Sequence, residues 1–218
     1  VERDAPPSPG SSTSTPRVYN THIIVNSNGE LVSTYRKIHL FDVSIPSQNI
    51  HLVESKTTAP GTKLVVCDSP LGLLGLSTCY DMRFPEQYTR LRELGAQILL
   101  APSAFTVPTG RAHWHTLLRC RAIENQCYVL AAAQFGVHNE KRSSYGHSIA
   151  VDPWGAVLAD AGGVDGRGTL EVPVKGVRAR GDAIVTPSVV ICDIDLDSME
   201  SIRTRMPIQK HRFNASFS

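Results

Sequence analysis

The chain has no apolar run approaching the roughly 18 residues that a membrane-spanning helix needs, and no secretory leader opens it. A membrane is therefore not an expected partner. It has no block of lysine or arginine either. Its 22 basic and 20 acidic residues leave a net charge of +2, which gives nucleic acid or an acidic lipid surface little to bind. Cysteine is sparse: Cys67, Cys79, Cys120, Cys127 and Cys192, widely spaced and odd in number. No two form a C-x-x-C pair, so a zinc knuckle has no support. The pattern suits reduced thiols in an intracellular compartment, with the cytoplasm expected and the mitochondrion as the alternative. No internal repeat is visible.

Apolar residues are plentiful. They make up 41% of 218 residues, against 19% charged, enough for one large core. A single domain over residues 1–218 is expected. Its first residue is Val1 rather than Met, so the chain is read as a piece of a longer product.

Residues 5–16, nearly all Pro, Ser, Thr and Gly, read as a mobile loop. Val18 to Tyr35 reads as a hairpin around the Asn28-Gly29 turn. Lys63 to Cys67 is a short strand in a polar stretch, and Leu71 to Thr78 is a buried one. A helix should start after Phe84, with Pro85 in its first turn and Gly95 at its end. Gln97 to Ala101 and Tyr128 to Ala133 are further strands, flanking a helix from Arg111 to Gln126. Tyr145 to Val151 and Ala156 to Ala159 should pair across Asp152-Pro153-Trp154-Gly155. Residues 161–188 read as a long insertion. Val189 to Ile194 reads as a last strand, followed by a helix opened at Asp197 and limited by Pro207. The alternation predicts an α/β fold.

Among groups that could do chemistry, Cys79 stands out. It ends a buried strand and precedes a helix, the kind of position that favours a reactive thiolate. The plain alternative is a structural cysteine, the reading preferred for the other four. Lys37, in YRKIHLFD, is either a solvated charge or a buried cation able to steady a thiolate and a developing oxyanion. Glu54 alone is an ordinary loop carboxylate. Arg83 and Glu86 flank Cys79, where a surface ion pair and a helix-dipole role are the plain readings. His113 and His115 lie two apart on a predicted helix and point about 200° away from each other, so no shared metal is expected. His147 is the best histidine for a cysteine–histidine pair, without local support.

Together these strings resemble the nitrilase superfamily of carbon–nitrogen hydrolases. YRKIHLFD resembles its lysine motif and GLSTCYDMRFPE its nucleophile motif. PSAF, HWHTLLRCRAIENQCYV, SYGHS and VDPWG follow in the family's order, and 193–212 resembles its terminal stretch. The resemblance implies an α-β-β-α sandwich, pairing into a homodimer or higher homo-oligomer, with no cofactor and no metal. It implies Cys79 as nucleophile, Lys37 as triad lysine and Glu54 as an orienting glutamate. The Tyr80 N–H would share the oxyanion, with Arg83 and Glu86 beside the substrate. The implied partner is a small-molecule amide. HNEKRSSYGHS resembles the branch acting on deaminated glutathione more than the ω-amidase branch acting on α-ketoglutaramate.

The sequence departs from the family at its start. The general-base glutamate of the triad belongs ahead of the hairpin, and Glu2 does not match it. The sandwich is thus expected to be N-terminally incomplete. A catalytically impaired scaffold is the alternative function. The stretches 5–16 and 161–188 have no counterpart recognised in the family.

Overall fold

The computed structural model describes residues 17–45, 50–139, 142–164, 170–171 and 188–212. The expected loop at 5–16 lies outside them, as does most of the expected insertion at 161–188.

The elements run in this order: β1 (Val18–Tyr19), β2 (Thr21–Val25), β3 (Leu31–Arg36), β4 (Asp42–Ile45), β5 (Ile50–Val53), β6 (Thr58–Ala59), β7 (Val66–Cys67), β8 (Leu74–Leu76), α1 (Pro85–Glu93), β9 (Ile98–Leu100), α2 (Val107–Asn125), β10 (Tyr128–Ala131), β11 (Phe135–Asn139), β12 (Arg142–Tyr145), β13 (Ile149–Val151), β14 (Val157–Asp160), β15 (Gly163–Val164), β16 (Leu170–Glu171), α3 (Leu196–Arg205) and α4 (Ile208–His211). One six-stranded sheet, ordered β14-β13-β10-β9-β8-β7, organises the fold. Its centre, β8-β9-β10, is parallel. These strands are short and wholly apolar because helices cover one face and further structure the other.

On one face, α1 and α2 bury Tyr88, Leu91, Trp114, Leu118 and Ala122 against Leu99, Val129 and Val151. On the other, Leu74, Leu76, Ile98 and Tyr128 meet Tyr35 of β3 and Met199 of α3. The layers are therefore helix, sheet, then hairpin with helix. This is the expected α/β architecture, with the two-stranded β2–β3 sheet in the layer opposite α1 and α2.

Several expectations need correction. The first strand breaks at Asn20: Val18 and Tyr19 pair in parallel with Thr58 and Ala59, so the hairpin spans 21–36. The stretch around His51 contains a β4–β5 hairpin. The run from Tyr145 is two strands, because Gly146 and His147 both take positive φ, 86° and 61°. β12 then turns to β11 while β13 joins the main sheet. The α2 helix starts earlier, at Val107, with proline in its first turn. Val189 to Ile194 forms no strand. It pairs with no strand among the described residues, and Val189 and Ile191 are 86% and 87% exposed. Asp195, not Asp197, caps α3, accepting from Ser198 N–H at 2.8 Å. Of the expected insertion, β15 and β16 pair antiparallel. No helix among the described residues is long and apolar enough to cross a membrane.

Candidate active site

The C-terminal end of β8 carries the cysteine. The chain leaves buried Leu76 through Ser77 and Thr78, and Cys79 takes φ of 52°. That left-handed region is uncommon for residues other than glycine and stores strain. A 3-10 turn, Cys79–Arg83, follows, and Pro85 then opens α1 in the position where a missing N–H costs nothing. The expected elbow is present, with this extra turn between cysteine and helix.

Asp81 holds the elbow. It is fully buried and supplies the acidic half of a capping box: the Thr78 N–H donates to Oδ2 at 2.8 Å. His39 donates its backbone N–H to Oδ1 at 3.0 Å and places Nδ1 2.9 Å from the same oxygen. The Tyr35 hydroxyl donates to Oδ2 at 2.6 Å. Burial, reinforced by the Asp81 charge, pushes that phenol far above its ordinary value, so it stays a donor. Ser77 Oγ donates to Leu100 O at 2.8 Å, which leaves the buried Tyr88 hydroxyl as donor to Ser77 at 2.6 Å. His22 Nδ1 lies 3.0 Å from Ser77 O and must carry the proton, since a carbonyl only accepts. Burial lowers the His22 pKa and favours this neutral form. Sequence reasoning missed Asp81, although Thr78-x-x-Asp81 is itself a capping signature.

Lys37 is buried, 3% exposed, and its Nζ meets Glu54 Oε2 at 2.5 Å. The Phe41 N–H donates to the same oxygen at 2.7 Å. Of the two readings of Lys37, the structure takes the buried cation, and Glu54 is its counter-ion. Breaking such a pair from one side costs about 3–5 kcal/mol. Tyr35 and Lys37 are both buried, two residues apart along an extended chain, and so share a side. The Tyr35 contact to Asp81 ties this side to the elbow. A second tie is aromatic: Phe41 meets Tyr80 edge-on at 4.9 Å, and Tyr80 meets Phe84 at 5.4 Å. Among the described residues no hydrogen bond or ion pair joins Lys37 or Glu54 to Cys79 itself.

The Cys79 N–H is taken by Pro102 O at 3.0 Å. The Tyr80 N–H lies in the first turn of the 3-10 helix, where amides lack an intrahelical acceptor. Arg83 lies over the Phe105 ring at 5.6 Å and contacts His113 Nδ1 at 3.2 Å. Glu86 is exposed in the first turn of α1, where it complements the helix dipole. No hydrogen bond or ion pair links it to the other candidates among the described residues.

A cleft of about 470 Å³ opens nearby, lined by Gln134, Phe135, His138, Ser148 and Gly162 among others. Its wall joins the elbow through the backbone: Pro102 accepts from Cys79, and Ser103 bridges to Ala133. Cys79, Lys37 and Glu54 do not line it.

His113 and His115 diverge as expected, but His115 meets two residues that sequence reasoning left apart. Its Nε2 lies 2.8 Å from Asp160 Oδ2, and His147 Nδ1 lies 2.9 Å from Asp160 Oδ1. Burial works against the Asp160 charge, yet hydrogen bonds from His115, His147 and the Gly162 N–H outweigh it and hold the carboxyl below its usual range. Donor atoms of the three lie within 4.8 Å of one another, so a divalent cation is conceivable by composition. The contacts are nevertheless those of a hydrogen-bonded triad. His147 additionally accepts the Trp114 Nε1–H on its carbonyl at 2.8 Å. No hydrogen bond joins it to Cys79 among the described residues.

Comparison with known proteins follows the same lines. A deaminated glutathione amidase of Dictyostelium discoideum is 51% identical over 195 residues, covering 89% of this chain and 60% of that protein. The crystal structure of the C. elegans NitFhit protein superposes with a TM-score of 0.72 at 44% identity, covering 90% of this chain and 42% of that one. An amidase variant from Nesterenkonia sp. AN1, with the acetamide moiety of fluoroacetamide added covalently at its active-site cysteine, gives a TM-score of 0.55 at 28% identity, covering 64% of this chain and 49% of that one. The chain thus spans well under two thirds of the length of each. The carbon–nitrogen hydrolase family model matches residues 5–204, and the chain belongs to the carbon–nitrogen hydrolase family.

Proposed function

We propose that this chain is the nucleophile-bearing part of an amidase that hydrolyses the terminal amide of a small carboxylated metabolite. Deaminated glutathione is the first candidate and α-ketoglutaramate the second. The observation that carries the reading is the Asp81 network, which anchors the lysine-bearing strand directly to the cysteine elbow. The Dictyostelium relative supports the choice of first substrate. The cysteine adduct of the Nesterenkonia amidase supports the choice of nucleophile.

In this mechanism the Cys79 thiolate attacks the amide carbonyl. The tetrahedral oxyanion is steadied by the Lys37 ammonium and the Tyr80 N–H, donors fixed before charge develops. The C–N bond breaks as the nitrogen takes a proton, releasing ammonia and leaving a thioester on Sγ. Water then adds to the thioester and returns the thiol with a free carboxylic acid. Glu54, held on one oxygen by Lys37 and the Phe41 amide, pairs with the lysine and orients it. Arg83 and Glu86 are proposed at the substrate's rim, and a homodimer or higher homo-oligomer is the proposed assembly.

The test is ammonia release from deaminated glutathione by the full-length protein, with α-ketoglutaramate in parallel. Cys79→Ala should abolish turnover with folding intact by circular dichroism. Turnover retained in that variant would overturn the mechanism. Activity on neither substrate in the unaltered protein would overturn the substrate class and favour the scaffold reading.

A further inference from the structure

At the end of the sheet where β9 and β10 begin, α1 and α4 enclose a cleft of about 400 Å³ lined by Arg92, Glu93, Gln209 and Arg212. Three buried nitrogens here have no partner: Arg92 Nε, Arg212 Nε and Gln209 Nε2. An unmade hydrogen bond at a buried donor costs about 1–3 kcal/mol, and more at a charged group. The glutamine amide can turn to offer either end, but a guanidinium can only donate and stays charged. Arg212 is not loosely placed. It donates through the other nitrogens to Thr89 Oγ1 at 3.3 Å and Glu124 O at 2.9 Å, which fixes the orientation of the third. Burial and the nearby Arg203 both work against the Arg92 charge.

The neighbouring groups relieve this charge only in part: Cys127 and Glu200 favour it against burial and Arg203. Glu93 is paired with Arg90, Glu200 with Arg203 at 2.7 Å and Glu124 with Arg121 at 2.6 Å. Arg203 spends its own nitrogens on Gln126 O, Ala96 O and Glu200. Arg92 and Arg212 therefore line one cleft, and each keeps a buried Nε without a hydrogen-bond partner among the described residues. A planar guanidinium matches an oxyanion better than any other ligand class.

We propose that this cleft is an oxyanion site for phosphate or a phosphate monoester, gripped by Arg92 and Arg212 with Gln209 as third donor. It is separate from the chemistry at Cys79, which lies at the opposite ends of the parallel strands, and it does not depend on the substrate proposed above.

Inorganic phosphate is the probe. Titrated into the full-length protein by calorimetry, at ionic strength matched with chloride, it should bind saturably at one site per chain and raise the unfolding midpoint. Acetate should bind at least tenfold more weakly. Arg92→Gln keeps a polar side chain and removes a guanidinium whose Nε has no hydrogen-bond partner among the described residues, so it should fold normally and weaken phosphate at least tenfold. Arg92→Glu should abolish binding. The proposal is overturned if phosphate acts no more strongly than chloride, if acetate binds equally well, or if Arg92→Gln binds like the unaltered protein. It also falls if Arg92→Glu changes the oligomeric state while phosphate has no effect, because the donors then face a second copy of the chain.

Discussion

The two ends of the central sheet each carry a cysteine and a buried charge, and they use them differently. Where β8 ends, Cys79 is half-buried in a left-handed conformation, and the buried carboxylate of Asp81 gathers donors from Thr78, His39 and Tyr35. Where β10 begins, Cys127 is fully buried, its thiol donating to Ala96 O at 3.2 Å and Asn125 O at 3.3 Å. There the buried guanidinium of Arg203 gathers the carbonyls of Gln126 and Ala96. Burial pushes the Cys127 thiol up to about 11, although Arg203 and Arg92 pull the other way. A cation beside a thiol is therefore not enough to make it reactive. Cys79 differs in being partly exposed, the access that the proposed nucleophile requires.

The largest expected effect is in alkylation. With iodoacetamide at pH 8, Cys79 should be labelled at least about 100-fold faster than Cys127, whose complete burial both suppresses its thiolate and blocks access. Exposed Cys120 serves as an internal reference, and peptide mass spectrometry reads the rates. Comparable labelling of Cys127 in the folded protein would break the contrast. Next come the buried charges. Asp81→Ala and Arg203→Ala should each destabilise the protein by about 3 kcal/mol, because each strands several buried polar groups, as measured by urea unfolding. Only the Asp81 variant should lower amide turnover, and equal losses in both would mean that stability alone is being read.

A smaller packing effect should follow at Gly110. A Cβ there would lie 2.3–2.5 Å from Tyr145 atoms, so Gly110→Ala should cost about 1–3 kcal/mol with the elbow untouched. The smallest effect concerns Asp160, a carboxylate at neither cysteine. Its folded value is depressed, so its stabilisation is complete above the unfolded aspartate value of about 3.9. It drains away as pH falls below that value toward the folded one. Unfolding free energy of Asp160→Asn, followed between pH 5 and 2.5, should therefore fall less steeply with acid than that of the unaltered protein.

What could be read from the sequence was mostly local. The elbow, α1 and the β2–β3 hairpin follow from signals within a few residues: a buried run into Cys79, Pro85 in a first turn, Asn28-Gly29 between alternating strands. Lys37 and Glu54 were legible by resemblance, but their direct pairing is tertiary. The meeting of His115, His147 and Asp160 joins a helix, a kinked loop and a strand end. No periodicity reports such a meeting. Val189 to Ile194 shows the converse: its composition fits a strand, but such a segment becomes a strand only where a neighbour offers a ladder. Asp81 was legible and overlooked, because a capping residue and a site organiser look alike in one dimension.

The left-handed backbone at Cys79 has an evolutionary consequence. Glycine would sit there without the steric penalty that cysteine bears, so the fold left to itself has no reason to keep a thiol at this position. If the thiol is what the reaction needs, a screen for thermal robustness alone should drift toward Cys79→Gly, and one for turnover should never accept it. Durability and usefulness would then be opposed at a single residue.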